Sequence, residues 1–204
     1  MIFADELWEA KRLEVGSWCE HGVFEVRLKN LCSIKPQTSR WVNRWKEVMK
    51  DGVHAWIIKS RLTPRGYGDV QGPEVHTRSP TAARAAQRLL VSTSVLFDFE
   101  LESMDVSTAF LQGTPLSDVE TKEGNPRLAA MVPPEDFWGL LPDSFAQQVP
   151  NMPFARLALE LLKAVYGLKD GPLLWITHFF KWIVTVPVEM MISGVKEVMH
   201  WFVA

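Results

Sequence analysis

The sequence is poor in the residues that build disulfide or zinc frameworks. It has only two cysteines, Cys19 and Cys32, among 204 residues. Two cysteines cannot form a disulfide framework, and these two lack the paired spacing of a zinc site, so reduced core thiols are the simpler interpretation. The five histidines are scattered without an H-x-x-x-H pair. The first residues include Asp5 and Glu6 and no basic stretch, so no secretory signal is visible and an intracellular location is expected.

The chain also has little net charge, because the formal value is −2, so the chain as a whole is not a basic nucleic-acid binder. The charges are nevertheless separated along the sequence. Residues 35–88 hold eleven lysines and arginines and four acidic residues. Residues 98–143 hold two lysines and arginines and ten acidic residues. The basic block suits phosphate and the acidic block suits a divalent cation. From charge alone, two solvated faces of opposite sign explain the pattern equally well.

Hydrophobic periodicity predicts the elements of the first half. An amphipathic helix is expected over residues 4–15, followed by an alternating strand over Val23–Leu28. The pair Asp51-Gly52 separates two β-prone runs, Trp41–Lys46 and His54–Leu62. An Asp-Gly pair between such runs predicts a β-hairpin.

The second half is less regular. Residues 64–80 are rich in glycine and proline and predict a long loop before a helix over Thr81–Phe97. The alternation of Phe97–Val106 predicts a half-buried antiparallel strand. Residues 112–153 carry many prolines and predict few elements, and Ala155–Val165 fits either a helix or an apolar strand. These elements predict an α+β fold with a mainly antiparallel sheet and packed helices.

Four pieces of sequence, the first of them in two stretches, resemble one family when taken in order. RWVNRWK at 40–46 and KSRLTPRGY at 59–67 resemble the fingers of copia-type retrotransposon reverse transcriptases. RSPT at 78–81 looks like the family's FSPV segment, and MDVSTAFLQG at 104–113 is similar to its first palm motif. LKAVYGLKDGPLLW at 162–175 is similar to its KxLYGLKQAPRAW segment. The resemblance covers residues 5–175 and implies an incomplete right-hand polymerase, with fingers and the first part of the palm.

The resemblance implies a catalytic carboxylate and a sugar contact. Asp105 would be the catalytic residue and would bind Mg²⁺ or Mn²⁺ together with the backbone carbonyl of Val106, as two-metal nucleotidyl transfer requires. Phe110 would lie under the sugar of the incoming deoxynucleotide and reject a ribose 2′-hydroxyl. Outside such a motif, an aspartate at a strand end is usually a turn or cap residue, and a phenylalanine is usually a core residue.

The same resemblance implies the remaining contacts. The nucleotide-binding candidates are Lys59, Arg61, Arg65, Tyr166 and Gly167, and Lys169 would meet template phosphate. Lys59 and Arg61 share one face of a strand because they are two residues apart, although a solvated hairpin explains them as well. Trp41 and Trp45 could stack on the bases of RNA or DNA, but packing inside the fingers is the favoured interpretation.

Three departures from the family bear on activity. The 204 residues lack the Y-V-D-D hairpin that supplies the family's other carboxylates, so we expect the chain to be inactive alone. Asp170-Gly171-Pro172 replaces Gln-Ala-Pro, and a carboxylate near a triphosphate is expected to repel it. Residues 176–204 do not resemble the family and form an apolar tail, in which Lys181 and the short apolar run disfavour a membrane span.

The functional hypothesis is a truncated, copia-like RNA-directed DNA polymerase domain, with template–primer and deoxynucleoside triphosphates as partners. The alternatives are a non-catalytic nucleic-acid-binding module that uses the basic 35–88 block, and a decayed element without a selected role. The predicted organisation is a lead-in helix and strand at 1–39, partial fingers and palm at 40–175, and the tail at 176–204. An incomplete palm exposes a sheet edge, so self-association through that edge or through the tail is expected.

Overall fold

The computed structural model describes residues 3–50, 52–101 and 106–185. The α-helices of these residues are α1 (Ala4–Glu20), α2 (Arg84–Phe97), α3 (Asp143–Ala146) and α4 (Gly171–Thr185). The strands are β1 (Phe24–Leu28), β2 (Gln37–Lys50), β3 (Val53–Pro64), β4 (Ala130–Val132) and β5 (Leu157–Leu161).

The five strands form one sheet in the order β1-β5-β4-β2-β3. The pairs β1–β5, β5–β4 and β2–β3 are antiparallel, whereas β2 and β4 are parallel. Every residue of β5 is buried, because this strand lies inside the sheet and is covered on both faces. The largest buried apolar side chains around it are Trp18, Leu62, Leu111, Met131, Phe137, Leu157 and Leu159.

The predicted hairpin is confirmed and is longer than the sequence pattern indicated. Strands β2 and β3 pair continuously from Ser39↔Pro64 to Lys50↔Val53. Gly52 in the turn has a φ of +77°, a conformation that glycine adopts at no steric cost. Helix α1 packs against β3, so one face of the hairpin is attached to the body of the protein.

The predicted lead-in segment is part of the same sheet. The helix expected at 4–15 extends to Glu20, and the strand expected at 23–28 is confirmed as β1, which pairs with β5. The predicted boundary at residue 39 falls inside β2, and the one at residue 175 falls inside α4. Of the two interpretations of Ala155–Val165, the apolar strand is correct.

The predicted strand over Phe97–Val106 is wrong for its described residues. The last residue of helix α2 is Phe97, and the capping residue Asp98 adopts the left-handed backbone conformation with a φ of 54°. The Phe99 N–H then donates to the Ser94 carbonyl at 2.8 Å, and the Phe97 and Phe99 rings stack 5.8 Å apart. Alternating phenylalanines therefore meet across a helix end instead of lining one face of a strand. The rest of the predicted strand, residues 102–105, lies outside the described residues.

The proline-rich region 112–153 has few regular elements, as predicted. It contains the short strand β4, the one-turn helix α3 and two 3₁₀ turns, Leu116–Asp118 and Glu135–Leu140.

Helix α4 covers the start of the predicted tail and exposes Phe180, Trp182 and Val184, and residues 186–204 lie outside the described residues. Within the part of the chain that is described, no helix has the length and apolarity to cross a membrane.

Candidate functional site

Three predicted nucleotide-binding side chains contact one another, although they come from distant segments, and are hereafter called the stack; their two rings are tilted by 59°. The Arg61 guanidinium, on β3, lies 4.3 Å from the ring centre of Tyr166, which stands in the loop between β5 and α4. The Tyr166 ring also packs against Phe110, with the ring centroids 4.8 Å apart. Phe110 belongs to a 3₁₀ turn, Ala109–Gln112, that packs against α4. The stack thus brings three of the segments singled out by the sequence to one place.

Two glycines allow the loop after β3 to touch the loop that carries Tyr166. A Cβ at Gly66 would overlap the carbonyl oxygen of Gly167. A Cβ at Gly167 would lie 2.5 Å from the Pro64 carbonyl oxygen and 2.6 Å from Cγ2 of Thr63, and the φ of Gly167 is +107°. Both the close backbone approach and the positive φ exclude a larger residue at Gly167. This glycine therefore has a structural reason to be present, and its predicted nucleotide contact stays a prediction.

One face of the β2–β3 hairpin collects its positive charge. Side chains alternate between the two faces of a strand, and directly paired residues share a face. Among the residues whose side chains the structure describes, the register places five cations on the face opposite α1, hereafter the basic face: Arg40, Arg44, Lys46, Lys59 and Arg61. Among the described residues this face holds no aspartate or glutamate, and none of its five cations forms an ion pair. Arg44 lies directly opposite Lys59, an unfavourable pairing that leaves a positive field available to a polyanion.

The two tryptophans proposed for base stacking lie on the other face of the hairpin. The Trp41 indole N–H donates to Oδ1 of Asp136 at 2.8 Å, and Nζ of Lys11 lies 5.2 Å from the Trp41 ring centre. Burial opposes ionisation of Asp136, but hydrogen bonds from Lys11 and Trp41 outweigh it and lower the pKa of this carboxyl. Trp45 is half-exposed and meets the edge of the Phe3 ring at 5.1 Å. Trp41 is thus packed inside the fold, while base stacking by either residue stays a prediction.

A buried carboxyl supports the strand that carries Lys59 and Arg61. Glu14 of α1 lies beneath β3, where its Oε1 accepts hydrogen bonds from the Trp18 indole at 3.1 Å and from the Leu62 backbone N–H at 3.3 Å. Strand β3 is at the edge of the sheet, so Glu14 replaces the missing neighbouring strand at Leu62. Burial raises the pKa of Glu14.

A buried ionic cluster lies behind the stack. The Arg127 side chain is fully buried and contacts two carboxylates that are each only 2% exposed. Its Nη2 and Nη1 donate to Asp69 at 2.6 and 3.2 Å, and its Nε and Nη2 donate to Asp170 at 2.7 and 3.3 Å. Burial disfavours the cation, but the two carboxylates outweigh that effect and raise the pKa of Arg127.

The cluster corrects one expectation about Asp170. The sequence suggested that a carboxylate at this position would repel a triphosphate. Asp170 is instead 1% exposed, and both its oxygens accept hydrogen bonds from Arg127. Because the Asp170 carboxylate is buried and hydrogen-bonded to Arg127, it is not presented to a ligand.

The other proposed contact residues lie at the surface near the same loops. Lys59, Arg65 and Lys169 are exposed, and Nη1 of Arg65 lies 3.5 Å from the hydroxyl of Tyr67. The backbone N–H of Arg65 donates to the Thr38 carbonyl at 2.8 Å, which holds the end of β3 against the start of β2. These three cations are therefore accessible, and their ligands stay predictions.

The predicted metal ligand Asp105 lies outside the described residues. The backbone that follows it is a tight turn: Thr108 is left-handed with a φ of 53°, and the Gln112 amide donates to the Ser107 carbonyl at 2.9 Å. Val106 is half-buried at the start of this turn. Within residues 3–50, 52–101 and 106–185, no three His, Cys, Asp or Glu side chains gather as metal ligands would. The described residues alone do not make a magnesium site, and the ligand assignment of Asp105 and Val106 stays a prediction.

Comparison with known proteins shows similarity to transposon polyproteins. The chain is 27% identical over 178 residues to the retrovirus-related Pol polyprotein from transposon TNT 1-94 of Nicotiana tabacum, which covers 86% of this chain and 11% of that polyprotein. Over 129 residues, it is 26% identical to the retrovirus-related Pol polyprotein from transposon RE1 of Arabidopsis thaliana and 27% identical to the one from transposon RE2. Each of these two matches covers 63% of this chain and 7% of the polyprotein. No family model and no solved structure matches the chain.

These similarities support a transposon-derived Pol region at low identity. The chain spans about a tenth or less of the length of these relatives, because the matched share is 11% of one and 7% of the other two.

Sequence reasoning missed Arg127, whose guanidinium binds a carboxylate in each of the loops that follow Arg65 and Tyr166. Its partners Asp69 and Asp170 are 58 and 43 residues away in sequence, and no local pattern connects them. The only available signal was that Arg127 is one of two basic residues in the acidic block 98–143.

Proposed function

We propose that this chain is a reverse transcriptase region that contributes fingers and the first part of the palm, and that it binds a deoxynucleoside triphosphate beside a template–primer. The observation that carries this proposal is the contact of Arg61, Tyr166 and Phe110, because three segments far apart in sequence, each given a nucleotide contact by the resemblance, meet at one place. The similarity to transposon Pol polyproteins supports the same assignment.

The stack suits a nucleotide for chemical reasons. A guanidinium held over an aromatic ring keeps its N–H donors free for phosphate oxygens, and the basic face adds Lys59 two residues away. Phe110 is half-buried against Tyr166, so its ring has a fixed position from which to exclude a 2′-hydroxyl. In this proposal Arg61, Lys59 and Arg65 bind the triphosphate, and Phe110 selects the sugar.

Magnesium or manganese would be held by Asp105 with the carbonyl of Val106. When bound, such ions stabilise the attacking primer oxygen and the leaving pyrophosphate. The described residues do not complete a metal site, and this chain's own side chains bind and orient the nucleotide in this proposal.

Nucleotide titration tests the proposal. The chain should bind deoxynucleoside triphosphates with Mg²⁺ more tightly than ribonucleotides by about tenfold, which corresponds to about 1.4 kcal/mol. Phe110→Ala should abolish this preference, and Arg61→Gln should weaken both ligands. Arg156→Gln, at an exposed position away from the basic face, is the matched control. Equal affinity of the unchanged chain for both sugars would overturn the proposed selection by Phe110.

Primer extension addresses catalysis separately. Extension of a primer on an RNA template that disappears in Asp105→Ala would show that the chain is an active polymerase and would overturn the expectation that it is inactive alone. Extension that survives this substitution would refute the assignment of Asp105.

A non-catalytic nucleic-acid-binding module is the second candidate, and the basic face favours it. Five cations that form no ion pair among the described residues lie on one face of the hairpin, and such a face fits a phosphate backbone. Each cation that contacts phosphate should contribute about one unit to the slope of log affinity against log salt. The double variant Arg44→Gln, Lys59→Gln should therefore lower this slope by about two, while Arg156→Gln leaves it unchanged. Binding without any salt dependence would refute this candidate.

A further inference from the structure

Arg127 joins the two loops that carry the proposed nucleotide contacts. Asp69 lies four residues after Arg65, in the loop that follows β3, and Asp170 lies four residues after Tyr166. One guanidinium binds both carboxylates through a pair of hydrogen bonds to each. The distance between the loops is thereby set by the width of a single planar group.

Arg127 is itself held by its surroundings. Its Nη1 donates to the Leu128 carbonyl at 2.7 Å, and the Leu128 N–H donates to Oε1 of Gln71 at 2.8 Å. Gln71 belongs to the same loop as Asp69, and the Gln71 N–H donates to Oδ1 of Asp69 at 3.2 Å. The guanidinium therefore has a fixed position relative to the loop that carries Asp69 and Gln71, and it reaches the other loop through the Asp170 side chain.

The charge count makes a purely stabilising role a poor explanation. One cation and two anions are buried together, which leaves a net charge of −1 out of water. Buried ionic clusters often contribute no more stability than apolar side chains of similar volume, because removing charges from water is costly. What such a cluster provides in addition is a defined geometry, which apolar packing does not supply.

We propose that Arg127 is a positioning residue that sets the spacing between the Arg65 and Tyr166 loops, and thereby the contact of Arg61 with Tyr166. The proposal rests on the proposed function for its significance, since it assigns Arg127 to the geometry of the same nucleotide site. It does not place Arg127 in contact with the ligand, because the side chain is fully buried.

Substitution of Asp170 tests the spacing without leaving an unpaired charge. Asp170→Leu removes the hydrogen bonds between the Tyr166 loop and Arg127 and leaves the neutral Arg127–Asp69 pair. Asp170→Asn removes the same charge but keeps an oxygen that accepts from Nε of Arg127. Spin labels at Tyr67→Cys and Lys169→Cys, both exposed, report the distance between the loops. The background carries Cys32→Ser, and burial raises the pKa of Cys19 to about 11, so that thiol resists labelling.

The expected result is dipolar broadening in the unchanged chain and in Asp170→Asn, and its loss in Asp170→Leu. Broadening retained in Asp170→Leu would overturn the proposal, as would equal loss in both variants. If circular dichroism shows that Asp170→Leu is unfolded, the same comparison at the other end, Asp69→Leu against Asp69→Asn, decides between these outcomes.

Binding of a deoxynucleoside triphosphate with Mg²⁺ to the unlabelled variants gives a second readout. Asp170→Leu should weaken binding by about tenfold and Asp170→Asn by less than about twofold. If the unchanged chain binds no nucleotide, the proposed function fails, but the spin-label distances still decide whether Arg127 sets the spacing.

Discussion

Removing the charge of Arg127 should destabilise the protein more than removing the whole ionic cluster. Arg127→Met leaves Asp69 and Asp170 buried, close together and without a cation. Breaking a buried ion pair in this way costs about 3–5 kcal/mol, because the remaining charges have neither water nor a partner. The triple variant Asp69→Leu, Arg127→Met, Asp170→Leu contains no buried charge and should cost much less.

The expected sizes can be stated as melting temperatures. For a domain of this length, 1 kcal/mol corresponds to about 2–4 °C. Arg127→Met should therefore lower the melting temperature by about 6–20 °C, and the triple variant should recover most of that loss. Arg156→Met makes the same chemical change at an exposed position and should alter stability by less than about 0.5 kcal/mol.

Thermal unfolding followed by circular dichroism, with urea denaturation as a second measure, distinguishes the variants. A triple variant as unstable as Arg127→Met would refute the reasoning, because the cost would then come from lost hydrogen bonds and packing instead of unpaired charge. An Arg127→Met melting temperature equal to that of Arg156→Met would show that the cluster is not buried in solution.

Two further predictions concern the residues that hold the site together. Gly167→Ala should destabilise the chain by more than about 2 kcal/mol in urea denaturation, because the φ is positive and the added Cβ would overlap backbone atoms. The control Gly124→Ala, which has a φ of +79° and open space around the added Cβ, should cost about 1 kcal/mol. Equal costs for the two variants would contradict this prediction. Burial raises the pKa of Glu14 in the folded state above its pKa in the unfolded state. The contribution of Glu14 to folding stability is therefore fully present below the unfolded-state pKa and is lost as the pH rises through the folded-state pKa. The free energy of unfolding of the unchanged chain should therefore fall with pH relative to Glu14→Gln, and parallel pH profiles would refute this.

The elements that sequence reasoning predicted correctly are those with local causes. The Asp-Gly turn, the alternation of Val23–Leu28 and the alanine-rich start of the helix before Phe97 act within a few residues, and all three elements are present. The alternation after Phe97 was misleading for the same reason. Alternating phenylalanines are compatible with a strand, and equally with two rings that stack where an α-helix ends in a residue of left-handed conformation. The local sequence pattern does not distinguish these two structures.

The candidate site depends on contacts that no local pattern contains. Tyr166 is more than one hundred residues from Arg61, and what brings them together is the position of β3 at one edge of the sheet and the approach of Gly66 to Gly167. The resemblance grouped these residues by role, whereas Arg127, which lies in none of the resembling segments, became visible only through its buried contacts.

The basic face shows how a short turn can organise charge over a long hairpin. With Lys50 opposite Val53, every even-numbered residue of β2 shares a face with an odd-numbered residue of β3. Among the side chains that the structure describes, the cations on the basic face are at positions 40, 44 and 46 of β2 and at positions 59 and 61 of β3, so the register directs all five to one side. A slip of one residue would move one strand's cations to the face that packs on α1, where burying them would be costly. Packing of α1 and segregation of charge therefore select the same register, and the positive face follows from the way the hairpin attaches to the protein.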